Sequence, residues 1–201
     1  MGKLVAGLSM SLDGYIAGPH DGPGNPLGDG GHRLFEWWTA GNEQIGPDAR
    51  FRPPARSRPI VEEMWQAGAL ITGRRTFDIA RGWGGRHPLG VPFFVLTTRP
   101  VDQWAGPGTG GTVVADGIDS ALEQARAAAC GRTIGVCAAN VAQQYLKAGL
   151  LDEIHIDLVP VLLGGGVSFL ADLPGRRYDL ECTRVIESDG VTHLRYHVVK
   201  N

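Results

Sequence analysis

The sequence holds few cysteines and no long apolar run. Its three cysteines, Cys130, Cys137 and Cys182, are odd in number and far apart, which argues against a disulfide framework or a Cys-x-x-Cys metal site and points to a reducing cytoplasm. No apolar stretch approaches the roughly 20 residues that a membrane helix needs. The start, Met1-Gly2-Lys3-Leu4-Val5-Ala6, enters an apolar strand-like run without the h-region or cleavage site of a signal peptide. An excess of charge of one sign is missing too. With 19 Lys and Arg against 21 Asp and Glu, the formal charge of −2 gives no footprint for nucleic acid or for an anionic membrane, so an anionic ligand must be held by a local site.

Several signatures are absent. There is no strict Gly-x-Gly-x-x-Gly fingerprint and no Walker A loop, which disfavours the ordinary dinucleotide fold and P-loop NTPases. The His-x-Glu and Pro-Cys-x-x-Cys signature of zinc deaminases is missing, and Gly7-Leu8-Ser9-Met10-Ser11 lacks the final glycine of a hydrolase elbow. His155, His193 and His197 do not read as a metal site. Positions 193 and 197 share a strand face with Arg195, but four strand residues span roughly 13 Å, so a solvated or interface face is expected and no metal is predicted.

What is present suits one domain, 1–201, with a substantial core: 201 residues, 43% of them hydrophobic. Residues 3–10 read as a strand. Residues 17–33 are crowded with Gly, Pro, Asp and Asn and read as a long loop. Leu34, Phe35, Trp37 and Trp38 predict a short helix over 33–40, and a Pro-rich connection over 47–59 precedes a helix from Ile60 to Gln66. Strand and helix then alternate: strands at 69–72, 91–96, 112–116, 133–137 and 152–160, and helices over 74–81, from Ser120 to near Gly131, and from Asn140 to Gly149. Ser120 with Glu123, and Asn140 with Gln143, have the spacing of N-caps. The central runs are apolar on both faces, as in a parallel sheet covered by helices. The tail, 178–186 and 191–199, reads as a hairpin turned at Ser188-Asp189-Gly190.

Ligands of open α/β sheets gather where strands end and helices begin, because helix N-termini present unpaired N–H groups and partial positive charge. Three junctions have suitable residues. At Gly73-Arg74-Arg75-Thr76-Phe77 a glycine precedes two cationic forks and a hydroxyl, and the arginines read either as phosphate ligands or as solvated charges. Leu96-Thr97-Thr98-Arg99-Pro100 sets two hydroxyls and an Arg after a buried strand. Gly135-Val136-Cys137-Ala138-Ala139-Asn140 leads small residues into a helix. A fourth segment, Ser9-Met10-Ser11-Leu12-Asp13-Gly14-Tyr15-Ile16-Ala17-Gly18, puts a carboxylate and two glycines at the end of the first strand. Trp37, Trp38, Trp83 and His87 sit in or beside loops and are candidates for stacking on a planar substrate.

These segments, in this order, resemble the reductase domain of riboflavin biosynthesis and the wider dihydrofolate-reductase-like superfamily. Residues 9–17, 73–77, 93–99 and 137–139 carry the likeness, with Leu150-Leu151-Asp152-Glu153-Ile154 and Pro160-Val161-Leu162-Leu163-Gly164-Gly165-Gly166. The resemblance implies a three-layer α/β fold: a central, mostly parallel mixed sheet, an antiparallel C-terminal hairpin and helices on both faces. It implies NADPH as cofactor and a small-molecule, heterocyclic substrate of pteridine or pyrimidine type, reduced at a C=N or C=O bond. On this likeness Gly73, Arg74, Arg75, Thr76, Thr97, Thr98, Arg99, Cys137, Ala138, Ala139, Asn140 and Val141 would bind the cofactor, Ile16 and Ala17 would border its nicotinamide, and Asp13 would be the catalytic residue, as proton relay or as hydrogen-bond acceptor. A homodimer is also implied. One departure stands out: the family has Gly-Gly where this chain has Cys137-Ala138, and a Cβ resists positive φ by roughly 1 kcal/mol and obstructs close approach. That motivates an alternative of another class, a non-catalytic nucleotide-binding or ligand-sequestering module.

Overall fold

The structure, a computed structural model, describes residues 2–46, 51–101, 103–171, 173 and 175–200. In chain order the elements are β1 (Leu4–Ser11), β2 (Tyr15–Ala17), a 3-10 helix (Gly31–Thr39), a 3-10 turn (Ala55–Ser57), α1 (Arg58–Trp65), β3 (Ala69–Gly73), α2 (Arg74–Ile79), a left-handed turn (Arg81–Gly85), β4 (Phe93–Leu96), β5 (Gly111–Val114), α3 (Ile118–Ala129), β6 (Ile134–Val136), α4 (Ala139–Lys147), β7 (Glu153–Val159), β8 (Val167–Ser168), β9 (Leu180–Ser188) and β10 (Val191–Val198). Eight strands form one sheet in the order β5-β4-β3-β6-β1-β7-β10-β9, and β2 and β8 form a two-stranded ribbon. The pairs β4/β5, β3/β4, β3/β6 and β1/β6 are parallel, whereas β7/β10 and β10/β9 are antiparallel. The expected mixed, mostly parallel sheet with a C-terminal hairpin is what forms.

The chain divides into two compact units that interleave in sequence: Met1–Ala6 with Gln66–Asp152, and Gly7–Trp65 with Glu153–Asn201. The first is built on strands buried on both faces. Ala69, Leu70, Ile71 and Thr72 of β3 and Phe93, Phe94 and Val95 of β4 are all buried, with α3 packed on both strands and α4 on β3. Val, Ile and Phe suit this environment because their area, not any pairing, stabilises it, at roughly 25 cal/mol per Å². Asp152 closes the unit at the start of β1: its Oδ2 accepts from the Leu4 N–H at 2.8 Å and its own N–H donates to the Leu4 carbonyl at 2.9 Å.

Several boundaries differ from the sequence expectation. α1 starts at Arg58, so the connection ends before position 59; Pro59 fits the first turn because that position needs no N–H. Residues 47–50 of that connection lie outside the described residues. Neither expected cap is one. α3 begins after Gly117, at φ 109°, and Ser120 inside it accepts from Gln124 Nε2 at 3.1 Å. α4 begins after Ala138, and Asn140 Oδ1 accepts from Gln144 Nε2 at 2.7 Å. Both helices begin before the expected cap, so Ser120 and Asn140 lie within the first turn and bond the glutamine four residues on instead. The loop after β2 ends at Gly31, and the predicted helix over 33–40 forms as the 3-10 helix starting there.

The second unit overturns the expectation of a solvated histidine face. His193 and Arg195 are buried, at 0% and 4% exposure. Asp157 lies opposite His193 in the β7/β10 register, and its Oδ1 meets His193 Nδ1 at 2.8 Å and Arg195 Nη1 at 3.0 Å. His193 Nε2 meets Ser57 Oγ at 2.8 Å, and Ser57 Oγ meets Ser188 Oγ at 2.8 Å. The 3-10 helix covers this face through Trp37, whose ring meets the His193 ring edge-on at 5.0 Å between centroids. Strand alternation told which residues share a face; the cover came from an element more than 150 residues earlier. Burial by itself pushes the Asp157 carboxyl up, but the His193 hydrogen bond and the Arg195 charge outweigh it and hold it below its ordinary value.

Asp157→Ala removes the carboxylate that balances a buried guanidinium and meets His193 Nδ1, and is expected to lower unfolding free energy by about 3–5 kcal/mol in urea titration. A loss under about 1 kcal/mol would show that the network holds nothing. Because the folded pKa is depressed, the contribution is complete above the unfolded value of about 4 and fades as pH falls through the lower folded value.

Candidate functional site

In the first unit, parallel register brings three junctions to one level. Gly73 at the end of β3 is partnered with Leu96 at the end of β4, and Ile71 with Val136 at the end of β6. The residues that follow, Gly73–Thr76, Thr97–Arg99 and Cys137–Val141, therefore leave neighbouring strands side by side. Gly73 is extended, at φ −95°, so its smallness matters for room: a Cβ there would meet Val141 Cγ2 at 3.2 Å and Ala138 Cβ at 3.6 Å.

Cys137 and Ala138, where glycines were expected, sit on ordinary backbone. Ala138 is extended at φ −144°, ψ 129°, and Cys137 is not among the residues with positive φ. No conformational strain attaches to the substitution; only the space taken by the side chains differs. The Cys137 thiol is pushed up by burial, against which the neighbouring Thr72 hydroxyl acts weakly, so it stays protonated at neutral pH. Ala138 precedes α4 as its N-cap without a side-chain hydrogen bond, and the first-turn N–H groups of Ala139, Asn140 and Val141 are uncapped by any side chain. A dinucleotide phosphate fits this donor set: uncapped amides, partial positive charge and small side chains.

The arginines and threonines divide. Arg74 is half-buried and engaged: its Nε donates to Asp78 Oδ1 at 2.7 Å, and its Nη1 donates to the carbonyls of Arg99 at 3.2 Å and Pro100 at 2.5 Å. Thr97 is buried, its Oγ1 accepting from the Arg99 N–H at 3.1 Å. Thr98, Arg99 and Arg75 are exposed, and Thr76 is half-buried with its carbonyl accepting from the Ala80 N–H at 2.9 Å.

In the second unit, Asp13 is exposed just past β1. Its Oδ1 accepts from the Ser11 hydroxyl at 2.5 Å and the Leu163 N–H at 3.1 Å, and its Oδ2 from the Gly164 N–H at 2.7 Å. The Ser11 bond, opposed by some desolvation and helped by the Gly164 and Leu163 amides, lowers its pKa, so Asp13 is a carboxylate at neutral pH. Sequence reasoning missed Ser11, Leu163 and Gly164 as its partners, although the glycine run 164–166 was the available signal. Gly166, at φ 123°, has the Ala17 carbonyl oxygen 2.0 Å from where a Cβ would sit. Ile16 is half-buried and Ala17 buried in the β2/β8 ribbon.

The aromatic candidates are packed to different degrees. Trp37 belongs to the core with Leu34, Ile45, Val61, Val159 and Val191, and its N–H donates to Ser9 Oγ at 3.2 Å, so it presents no surface to a substrate. Trp38 is half-buried against Phe35, Trp37 and Phe51. Trp83 meets Phe93 and His87 edge-on, at 5.4 and 4.7 Å. Burial lowers the His87 pKa to about 4, leaving it neutral, with Nδ1 accepting from the Leu89 N–H at 3.2 Å. Among the described residues no group of three His, Cys, Asp or Glu is placed to hold a metal, and no helix is long and apolar enough to cross a membrane.

With this geometry in hand, the chain was compared with known proteins. The family described as RibD C-terminal domain matches residues 3–194. A protein from Shewanella sp. PV-4 named for riboflavin biosynthesis superposes with a TM-score of 0.69 at 24% identity, covering 99% of both chains. Acinetobacter baumannii RibD gives 0.61 at 19% identity; 99% of this chain matches 58% of that one, so the present chain spans little over half of the longer protein. Dihydrofolate reductase from Enterococcus faecalis, in complex with NADP(H) and RAB-propyl, gives 0.56 at 16% identity over 98% of this chain and 96% of that one. At these identities the structural matches establish the dihydrofolate-reductase-like fold. No curated protein matches the chain.

The thiols offer a direct check on the strand end at Cys137. Cys130 and Cys182 are exposed. Cys137 is half-buried, so with Ellman's reagent at pH 8 two thiols are expected to react quickly and the third more slowly in the folded protein. Three fast thiols would mean that the Cys137 side chain is open to solvent.

Proposed function

The chain belongs to the RibD C-terminal domain family, and on that premise we propose that it is an NADPH-dependent reductase acting on a C=N or C=O bond of a small pteridine- or pyrimidine-like heterocycle. The observation that carries this reading is the level alignment of three strand ends: β3 and β6 run into helices α2 and α4, while β4, expected to do the same, runs into a turn, and among the described residues no side chain caps the α4 amides. NADPH, when bound, supplies the hydride. The chain's own part is to bind and orient: the first-turn amides of α4 and the Thr76 hydroxyl take the pyrophosphate, Gly73 and Ala138 leave room for it, and the exposed end of β4 takes the 2′-phosphate side.

Asp13 serves as a fixed acceptor in this reading. A carboxylate held by three donors has no proton to give at neutral pH, but its remaining lone pairs can receive an N–H or O–H of the substrate and orient the reducible bond beside Ile16 and Ala17. The proton that completes the reduction then comes from solvent. Trp38, Trp83 and His87 remain the candidates for the substrate side. The absence of positive φ at Cys137 and the extended backbone at Ala138 speak against a degenerate loop and so against a module without catalysis. The same reading takes 1–201 as one domain, supported by the span of the family match, in a reducing cytoplasm, which the unpaired thiols support. It also takes the chain as a homodimer, supported by the apolar Leu180 and Val185 exposed on edge strand β9.

NADPH is expected to quench tryptophan fluorescence saturably; no saturable change at physiological cofactor levels would sink the reductase reading. Against a panel of pteridines and pyrimidines, Asp13→Asn should lower kcat about 10- to 100-fold, the worth of a charged hydrogen bond. Because the folded pKa of Asp13 lies below its ordinary value, the wild-type rate should hold as pH falls to about 4 and drop only below it. A rate falling with a midpoint near 6 would assign the role to another group.

A further inference from the structure

We propose that Arg74 sets the preference for NADPH over NADH as a positioning residue: it holds the turn that carries Arg99, and Arg99, not Arg74, meets the 2′-phosphate. The proposal rests on the cofactor reading above, because the two dinucleotides differ only in that phosphate.

The guanidinium of Arg74 is committed on two sides. Arginine recognises a phosphate through paired parallel N–H bonds, either from Nε with one Nη or from both Nη atoms. In Arg74 the Nε–H is given to Asp78, and the two Nη1 hydrogens suffice for the carbonyls of Arg99 and Pro100. Only Nη2 remains, so neither fork can close on a phosphate, and the Asp78 carboxylate already balances the charge. Those same bonds fasten the turn. The Thr97 N–H donates to the Val114 carbonyl at 2.9 Å, Thr97 Oγ1 accepts from the Arg99 N–H, and Arg74 takes the next two carbonyls. Four backbone groups of residues 97–100 are thereby tied to buried Thr97, to β5 and to α2. The exposed Arg99 side chain, whose guanidinium has no hydrogen-bond partner among the described residues, leaves the protein from a fixed base. A fixed base matters because a pre-ordered cation loses less freedom on meeting its anion.

The two roles for Arg74 predict opposite responses to Asp78→Asn. As a direct phosphate ligand, Arg74 would lose its counter-charge, so NADPH would bind more tightly. As a positioning residue it has its anchor weakened from a charged to a neutral hydrogen bond, and the ratio of NADPH to NADH affinity should fall several-fold. Fluorescence titrations with both cofactors are the measurement. Arg99→Ala should lower the ratio about tenfold or more, and Arg74→Ala combined with Arg99→Ala should lower it no further; a loss that adds, or a tighter NADPH complex in Asp78→Asn, overturns the proposal. A merely structural role would weaken both cofactors alike and leave the ratio unmoved. Hydrogen exchange without cofactor reads the hold on the turn separately. The amides of Thr98, Arg99 and Val101 should exchange faster in Arg74→Ala, and unchanged protection overturns the positioning role. If exchange quickens but wild-type protein binds neither dinucleotide, the cofactor reading fails together with the preference assigned to Arg99, while the hold of Arg74 on the turn stands.

Discussion

A strand buried on both faces has no place for a ligand-binding side chain along its length, and this constraint shapes the first unit. β3 and β4 present apolar residues to helices on one side and to packed side chains on the other, so chemistry is pushed to the residue where each strand stops. The exception is Thr72, fully buried in β3, whose hydroxyl has only the Cys137 thiol of the neighbouring strand end beside it. The cofactor-binding candidates of this unit, from Gly73 to the Thr97–Pro100 turn and the start of α4, lie within a few residues past the end of a strand.

Two aspartates illustrate how environment separates roles. Asp13 and Asp157 are both held below the ordinary carboxylate range, but by different means. Asp157 is enclosed, with a histidine and an arginine on one oxygen, and its task is finished once β7, β10 and the 3-10 turn at Ser57 are fastened together. Asp13 is at the surface, held by a hydroxyl and two backbone amides, with capacity left on its oxygens. Only the second combines a fixed charge with access, which is what orienting a substrate demands.

The turn after α2 holds five successive residues in the left-handed region. Arg81, Gly82, Trp83, Gly84 and Gly85 all have positive φ, and the two with side chains each cost roughly 1–2 kcal/mol there. Packing of the Trp83 ring against Phe93 and His87 offsets this strain, and Gly82 is required, since a Cβ there would lie 2.4 Å from Trp104 Cβ.

The sequence by itself determined the strands of the sheet, the hairpin over Asp189-Gly190 and the order of motifs that places the chain in its family, because apolar periodicity, turn chemistry and local spacing are properties of neighbours in the chain. The candidate site was legible as a set of segments for the same reason: each junction is a short run such as 73–77 or 97–99. Tertiary structure decided which group in each segment is engaged. Arg74 meets carbonyls 25 and 26 residues away, Asp13 meets amides 150 and 151 residues away, and His193 meets Ser57 across 136 residues. The caps expected at Ser120 and Asn140 failed for a nearer reason: the helices start at Ile118 and Ala139, which leaves both residues inside the first turn. A hydrogen-bonding side chain can choose among many partners in the linear chain, and folding alone reduces them to the few that it meets.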